Sequence, residues 1–202
     1  SSDLIPNVLA KARERFPRVT IGINVMGSGA IPQALVSGDV DLGVAFSLDR
    51  SSDLQQLSVA SFHLGAVVPP DHPLASNKAL SVSACLSHNL ILPKSELSIR
   101  QQLAKAYAKL PVPAIETSSV ELAKQLTLRG LGVAFQTRIG IERELAHGQL
   151  VHVPIKKPMP LRSDLGVYVR AARNPPVAVH ALADIIAAEI GLHAAREGDT
   201  AS

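Results

Sequence analysis

The chain has 202 residues, 47% of them hydrophobic and 18% charged, which is enough to bury one large domain or two small ones and too apolar for a disordered chain. Twenty Lys and Arg against 17 Asp and Glu leave a net charge of +3, and aromatic residues make up only 3%. That balance excludes a stacking platform for single-stranded nucleic acid, and the scattered basic residues form no stripe for duplex DNA.

In chain order, residues 4–16 carry Leu4, Ile5, Val8, Leu9 and Ala12 on one helical stripe, with Pro6 tolerated in the first turn and Pro17 as the stop. Residues 19–25 (VTIGINV) alternate and predict a strand. A turn at Gly27, Ser28 and Gly29 leads into a short helix ending near Gly38, and residues 41–46 predict a second strand. Further strands are expected at 64–69, 90–92, 114–116, 131–135 and 164–170, and helices at 98–109 and from Ser118 to Gly130. Ser118 and Glu121 have capping-box spacing, and Gly130 suits a helix C-terminus. Val179, Leu182, Ile186 and Ile190 mark a closing helix, after which residues 193–202 are expected to fray. The N-terminus has no uninterrupted apolar secretion signal, and no apolar run approaches the ~20 residues that cross a bilayer. Cys85, the single cysteine, closes no internal disulfide, so a reducing cytoplasm is the simplest home. Alternating strands and helices favour an α/β fold with mainly parallel sheets.

One pattern occurs twice. A strand, a hydroxyl-bearing turn, a helix and a glycine lead to Gly43-Val44-Ala45-Phe46, and again to Gly132-Val133-Ala134-Phe135. Either small apolar residues coincide in two buried strands, or two similar lobes face one another across a cleft. In the second case helix N-termini beyond the strand ends suit a small, anionic ligand.

Ordered along the chain are Phe16-Pro17, the 27–29 turn, GDVDLGV at 38–44, PPDHPLA at 69–75, RGLGVA at 129–134, and Glu144 through Gly148 to Val153. Together they resemble the effector-binding domain of LysR-type transcriptional regulators, over about residues 3 to 190. The resemblance implies a two-lobed fold like the type 2 periplasmic binding proteins, with helices flanking the sheets and an effector cleft between the lobes. Lobe I would take 1–68 plus 163–192 and lobe II 69–162, with crossovers near 67–70 and 156–162. It also implies a winged helix-turn-helix DNA-binding domain absent from this chain, a homodimer or tetramer, and a bacterial, cytoplasmic sensor that acts on DNA through that absent domain. This chain departs from the family at Gln136-Thr137, where a Leu-Pro pair is usual, in a loop that borders the cleft in relatives.

The candidate effector-binding residues are Gly27, Ser28, Gly29, Phe46, Ser47, Lys94, Ser95, Thr117, Ser118, Phe135, Gln136 and Thr137. Ser28, Thr117 and Ser118 read equally as helix caps or as ligand contacts, and Phe46 and Phe135 equally as core. Lys94 supplies a cation, whereas Arg100 reads as a solvated surface charge. The seven histidines show no ligand spacing, so no metal site is expected. The Gly27-x-Gly29 turn lacks a dinucleotide fingerprint and no nucleophile motif is present, so no cofactor and no enzymatic activity are expected. The leading function is an effector-sensing regulator domain for a small carboxylate-bearing metabolite, with no membrane partner. The alternative is a periplasmic solute receptor of the same fold.

Overall fold

A computed structural model describes residues 4–95, 97–171 and 174–199, and divides the chain into two compact units, Ser1–Ser61 with Asp164–Ser202, and Phe62–Ser163. Sequence alone put the first boundary at 68/69. The chain leaves the first unit within a ten-residue strand, β2 below, and returns within β9, so each crossing falls inside a hydrogen-bonded strand rather than in a loop.

In the first unit, helix α1 (Leu4–Arg15) buries Leu4, Val8 and Ala12, four residues apart on one face. Helix α2 (Ile31–Ser37) has a proline in its first turn and ends at Gly38, whose φ of 82° closes the helix as sequence reading expects. Strand β1 (Gly43–Phe46) and strand β2 (Leu54–His63) flank the last strand, β9 (Arg162–Arg170), in a three-stranded sheet. A Cβ on Gly43 would stand 2.6 Å from Ile31 Cγ2, so glycine here is what lets α2 lie against β1.

The second unit is built on β3 (Gly65–Val68), β4 (Leu80–Ser81), helix α3 (Val82–Cys85), β5 (Ile91–Pro93), helix α4 (Ser98–Ala106), β6 (Ile115–Thr117), helix α5 (Val120–Leu128), β7 (Ala134–Gln136), helix α6 (Glu142–Ala146) and β8 (Val151–Lys157). Four strands run in the order β4-β8-β3-β7, and β5 pairs with β6. Its core gathers Leu64, Ala66, Val68, Leu92, Leu103, Val133, Phe135, Val153 and Ile155. Each fully buried aliphatic or aromatic side chain contributes roughly 1.5–3 kcal/mol of transfer free energy.

Four expectations need correction. Residues 19–25 form no strand: Ile23 is 51% and Val25 97% exposed, and the extended backbone joins no ladder among the described residues. Alternation specifies an extended chain, but pairing needs a neighbour strand, and β1 is bonded to β9. The ladders are mixed rather than mainly parallel. The β1–β9, β3–β7 and β3–β8 pairs are antiparallel, whereas β4–β8, β5–β6 and a Leu90–Val133 bridge are parallel. Strand β3 continues the chain just after it enters through β2, and β8 precedes its exit through β9, and the two run in opposite directions. Helix α5 is capped by Ser119, whose hydroxyl accepts from Leu122 N–H, and not by Ser118. Glu121, freed from a capping box, accepts from Gln125 and pairs with Lys124.

The fourth correction concerns the closing helix, α7 (Val177–Asp199), which runs to Asp199 where fraying was expected from 193 and buries His193 and Glu197, residues 200–202 lying outside the described residues. Its mean hydropathy of 1.5 over Val177–Gly198 would suit a membrane span by length and composition. The helix is used differently. Ala183, Ile186 and Ile190 are buried, and α7 packs against α1, where Glu189 accepts from Asn7 at 3.0 Å and Lys11 at 2.6 Å. Burial raises the Glu189 carboxyl, but those two donors outweigh it and hold it below its ordinary range.

Candidate functional site

The candidate residues fall into two groups, one in each unit. In the first unit, Gly27 and Gly29 are exposed and Ser28 half-buried, and Ser28 opens a single 3-10 turn, Ser28–Ala30. No side chain caps that turn, so the expected hydroxyl cap is absent there. A Cβ on Gly27 or Gly29 would meet nothing within 4 Å. Neither glycine is required by a close approach. Phe46 ends β1 half-buried, and Ser47 follows it in the left-handed region at φ 52°, its N–H donating to Asp164 O at 2.7 Å. A non-glycine residue there stores strain, a feature enriched at functional positions.

In the second unit the residues converge. The Lys94 N–H donates to the Thr117 carbonyl at 3.2 Å, which sets the ends of β5 and β6 side by side. Thr117 is 9% exposed, and its hydroxyl accepts from Ser119 N–H at 3.0 Å. Gln136, at the end of β7 and 3% exposed, donates from its side-chain amide to the Val120 carbonyl at 2.9 Å. Thr117, Ser119, Val120, Phe135 and Gln136, with Pro93 and Ile99, line one recess. Its enclosed part, about 10 Å³, has room for little more than one water. Ser118, Lys94 and Ser95 are exposed, and the Lys94 side chain makes no hydrogen bond or ion pair among the described residues.

Phe135 belongs to the core beneath the recess as well as to its wall, so the core reading of this residue holds. Thr137, 6% exposed, precedes a 3-10 turn at Arg138–Gly140. The two GVAF copies are put to different uses. The first is a strand in full, whereas in the second Gly132 and Val133 precede β7, and Val133 bridges to Leu90. Gly132 is demanded by the backbone itself, since a Cβ would stand 2.6 Å from Asn89 O.

Sequence reasoning missed Ser119, Val120, Ile99 and Pro93. Ser119 was discoverable from its position one residue before the apolar periodicity of α5. Beside the recess, Lys124 is buried with its Nζ 2.9 Å from both Glu121 and Glu144. Desolvation opposes its charge, yet the two carboxylates win and hold the ammonium above its ordinary value. Cys85 is buried, and burial alone pushes its thiol up to about 12, leaving it protonated and unreactive at neutral pH. No cluster of three metal-ligating side chains occurs among the described residues.

A larger recess of about 370 Å³ lies in the first unit between α1 and the unpaired segment, lined by Leu9, Ala10, Arg13, Phe16, Val19 and Ile21. It contains none of the candidate residues and only one charged group. We read it as the space left where residues 19–21 lack a strand partner.

Comparison with known proteins agrees with the fold. The chain is 26% identical over 179 residues to a probable RuBisCO transcriptional regulator of Synechocystis, covering 84% of this chain and 52% of that protein. It spans about half the length of the curated relatives it matches. The regulatory domain of Synechocystis CcmR in complex with 2-PG superposes with a TM-score of 0.78 at 20% identity, covering 91% of this chain and 89% of that one. The effector-binding domain of QuiR in complex with shikimate gives 0.75 at 16%, covering 96% and 93%. The LysR substrate binding domain profile matches residues 1–191, so with the fold described above this chain belongs to the LysR substrate-binding-domain family.

Proposed function

We propose that this chain is the effector-sensing part of a LysR-type transcriptional regulator and that it binds a small anionic metabolite, carrying a carboxylate or phosphate, at the Thr117–Gln136 recess. One observation carries the reading. Thr117, Ser119 and Gln136 line one recess, and the exposed cation Lys94 follows the lining residue Pro93 and donates its backbone N–H to the Thr117 carbonyl, a set that suits an anion with a short polar body. The neighbours bound to 2-PG (2-phosphoglycolate) and to shikimate support that ligand class. Gly27, Ser28, Gly29, Phe46 and Ser47 are proposed as the first unit's own contribution.

The longer relatives support a DNA-binding domain outside this chain, through which effector binding acts on transcription in the cytoplasm, and a homodimer or tetramer as the working assembly. The family match and the regulators among the relatives disfavour the periplasmic receptor.

A thermal-shift and calorimetric panel of small carboxylates and phosphates, including 2-phosphoglycolate and shikimate, tests the reading. A saturating ligand raises the melting temperature by mass action. Thr117→Val, Gln136→Ala and Ser28→Ala are then compared on any hit. Loss of a hydrogen bond to a charged group weakens binding by roughly 1.5–3 kcal/mol, about 10- to 150-fold. Unchanged affinity in Thr117→Val and Gln136→Ala removes the site.

A further inference from the structure

We propose that His152 is a positioning residue of this site: its imidazole crosses β3 through the gap left by Gly65 and holds the carbonyl of Gln136, fixing the Gln136–Thr137 turn in one geometry. The inference rests on the reading that this turn borders the effector.

The register sets up the crossing. On β8, His152 lies opposite Val67 of β3. Gly65, two residues before Val67 and on the same face, lies opposite Gln136 of β7. A side chain leaving β8 therefore has to pass over residue 65 to reach β7. A Cβ there would stand 2.5 Å from both Cε1 and Nε2 of His152, so the ring occupies the volume that any other residue would fill. It ends with Nε2 3.0 Å from Gln136 O. A carbonyl only accepts, so Nε2 carries the proton and the tautomer is fixed.

From Gln136 the same chain of bonds enters the recess. The Gln136 amide holds Val120 O, Ser119 caps α5, and Thr117 accepts from Ser119 N–H. His152 is thus bonded directly to one recess-lining residue, Gln136, whose amide holds the backbone of a second, Val120, next to the Ser119 cap. Burial pushes the imidazole down to about 4; the bond to Gln136 O opposes this, and the charges of Arg138 and His63 reinforce it. The neighbouring Arg162 is bonded to His63 at 3.0 Å. The imidazole therefore stays neutral and its bond intact from pH 5 to 8.

The test uses the 202-residue protein as wild type, His152→Leu, His152→Gln and Gly65→Ala, with two readouts. These are amide exchange by NMR and the affinity for 2-phosphoglycolate and shikimate. Glutamine keeps an N–H donor at a similar reach. The expected result for His152→Leu is at least tenfold faster exchange at Thr137 and Arg138, with Ile155 on the same strand still protected. Affinity for the bound probe falls five- to tenfold, and His152→Gln recovers both. Gly65→Ala reproduces the leucine result where it folds. Wild-type exchange and affinity in His152→Leu overturn the positioning role alone. A uniform loss of protection that glutamine does not rescue makes the histidine merely structural and overturns it too. Wild type that binds neither probe removes the functional reading, and the positioning role with it.

Discussion

Lys124 and Glu144 form a buried ion pair, Nζ to Oε1 2.9 Å, that ties α5 to α6. Glu144 Oε2 has no hydrogen-bond partner among the described residues, so its carboxylate depends on Lys124. Removing one partner of such a pair leaves an uncompensated buried charge, whereas replacing both with apolar groups is often neutral. Lys124→Met is expected to cost about 3–5 kcal/mol in urea unfolding, and Lys124→Met with Glu144→Leu to recover most of it. Because the folded ammonium titrates above its unfolded value, this contribution is complete below the unfolded pKa and is lost as pH rises through the folded one.

Ser47 is the non-glycine residue with positive φ among the described residues. The left-handed conformation costs an L-residue about 1–2 kcal/mol, part of which glycine gives back through its flexible unfolded state. Ser47→Gly is expected to stabilise by about 0.5–1 kcal/mol, a rise of a few degrees in Tm by calorimetry. An unchanged or lower Tm would show that the serine hydroxyl supports the turn.

His152 makes stability fall on the acid side. Its folded pKa of about 4 lies below the ordinary 6.5, so the unfolded chain binds the extra proton between those values. Stability from this group is complete above pH 6.5 and declines as pH drops toward 4, by at most about 3 kcal/mol. Burial first, and then the charges of Arg138 and His63, keep the imidazole from gaining a proton when folded. In His152→Gln the unfolding free energy measured from pH 7 to 4 is expected to lose this component of its slope. The same slope in wild type and variant would refute the depressed pKa.

The unpaired segment 19–25 predicts a contrast between two substitutions. Val25→Lys, at a site 97% exposed, is expected to change stability by less than about 0.5 kcal/mol. Leu35→Ala, in α2 at 1% exposure, is expected to cost about 2–5 kcal/mol. A large loss from Val25→Lys would mean that the segment is buried in solution.

Much of the fold was legible because its signals are local. Helix α1 was readable from residues four apart, and the end of α2 from one glycine whose φ no other residue adopts cheaply. The second-unit strands β3, β5, β6 and β7 were readable from short apolar runs between turn residues, whereas the two-residue β4 was not. The candidate site was half legible. Thr117, Phe135 and Gln136 were found because strand ends in α/β folds face ligands, but Ser118 was taken for the cap that Ser119 makes.

The α/β alternation and the positions of most helices were determined by the sequence alone, because periodicity and turn residues act over a few positions, and the family was legible through the ordered motifs that resemble it. Tertiary structure alone decided three things: that residues 19–25 stay unpaired, that identical GVAF segments serve as a strand in one unit and as a bridge leading into a strand in the other, and that His152 reaches Gln136 over Gly65. Each depends on which distant segment arrives alongside, and a strand's pattern carries its own pleat but not the identity of its neighbour.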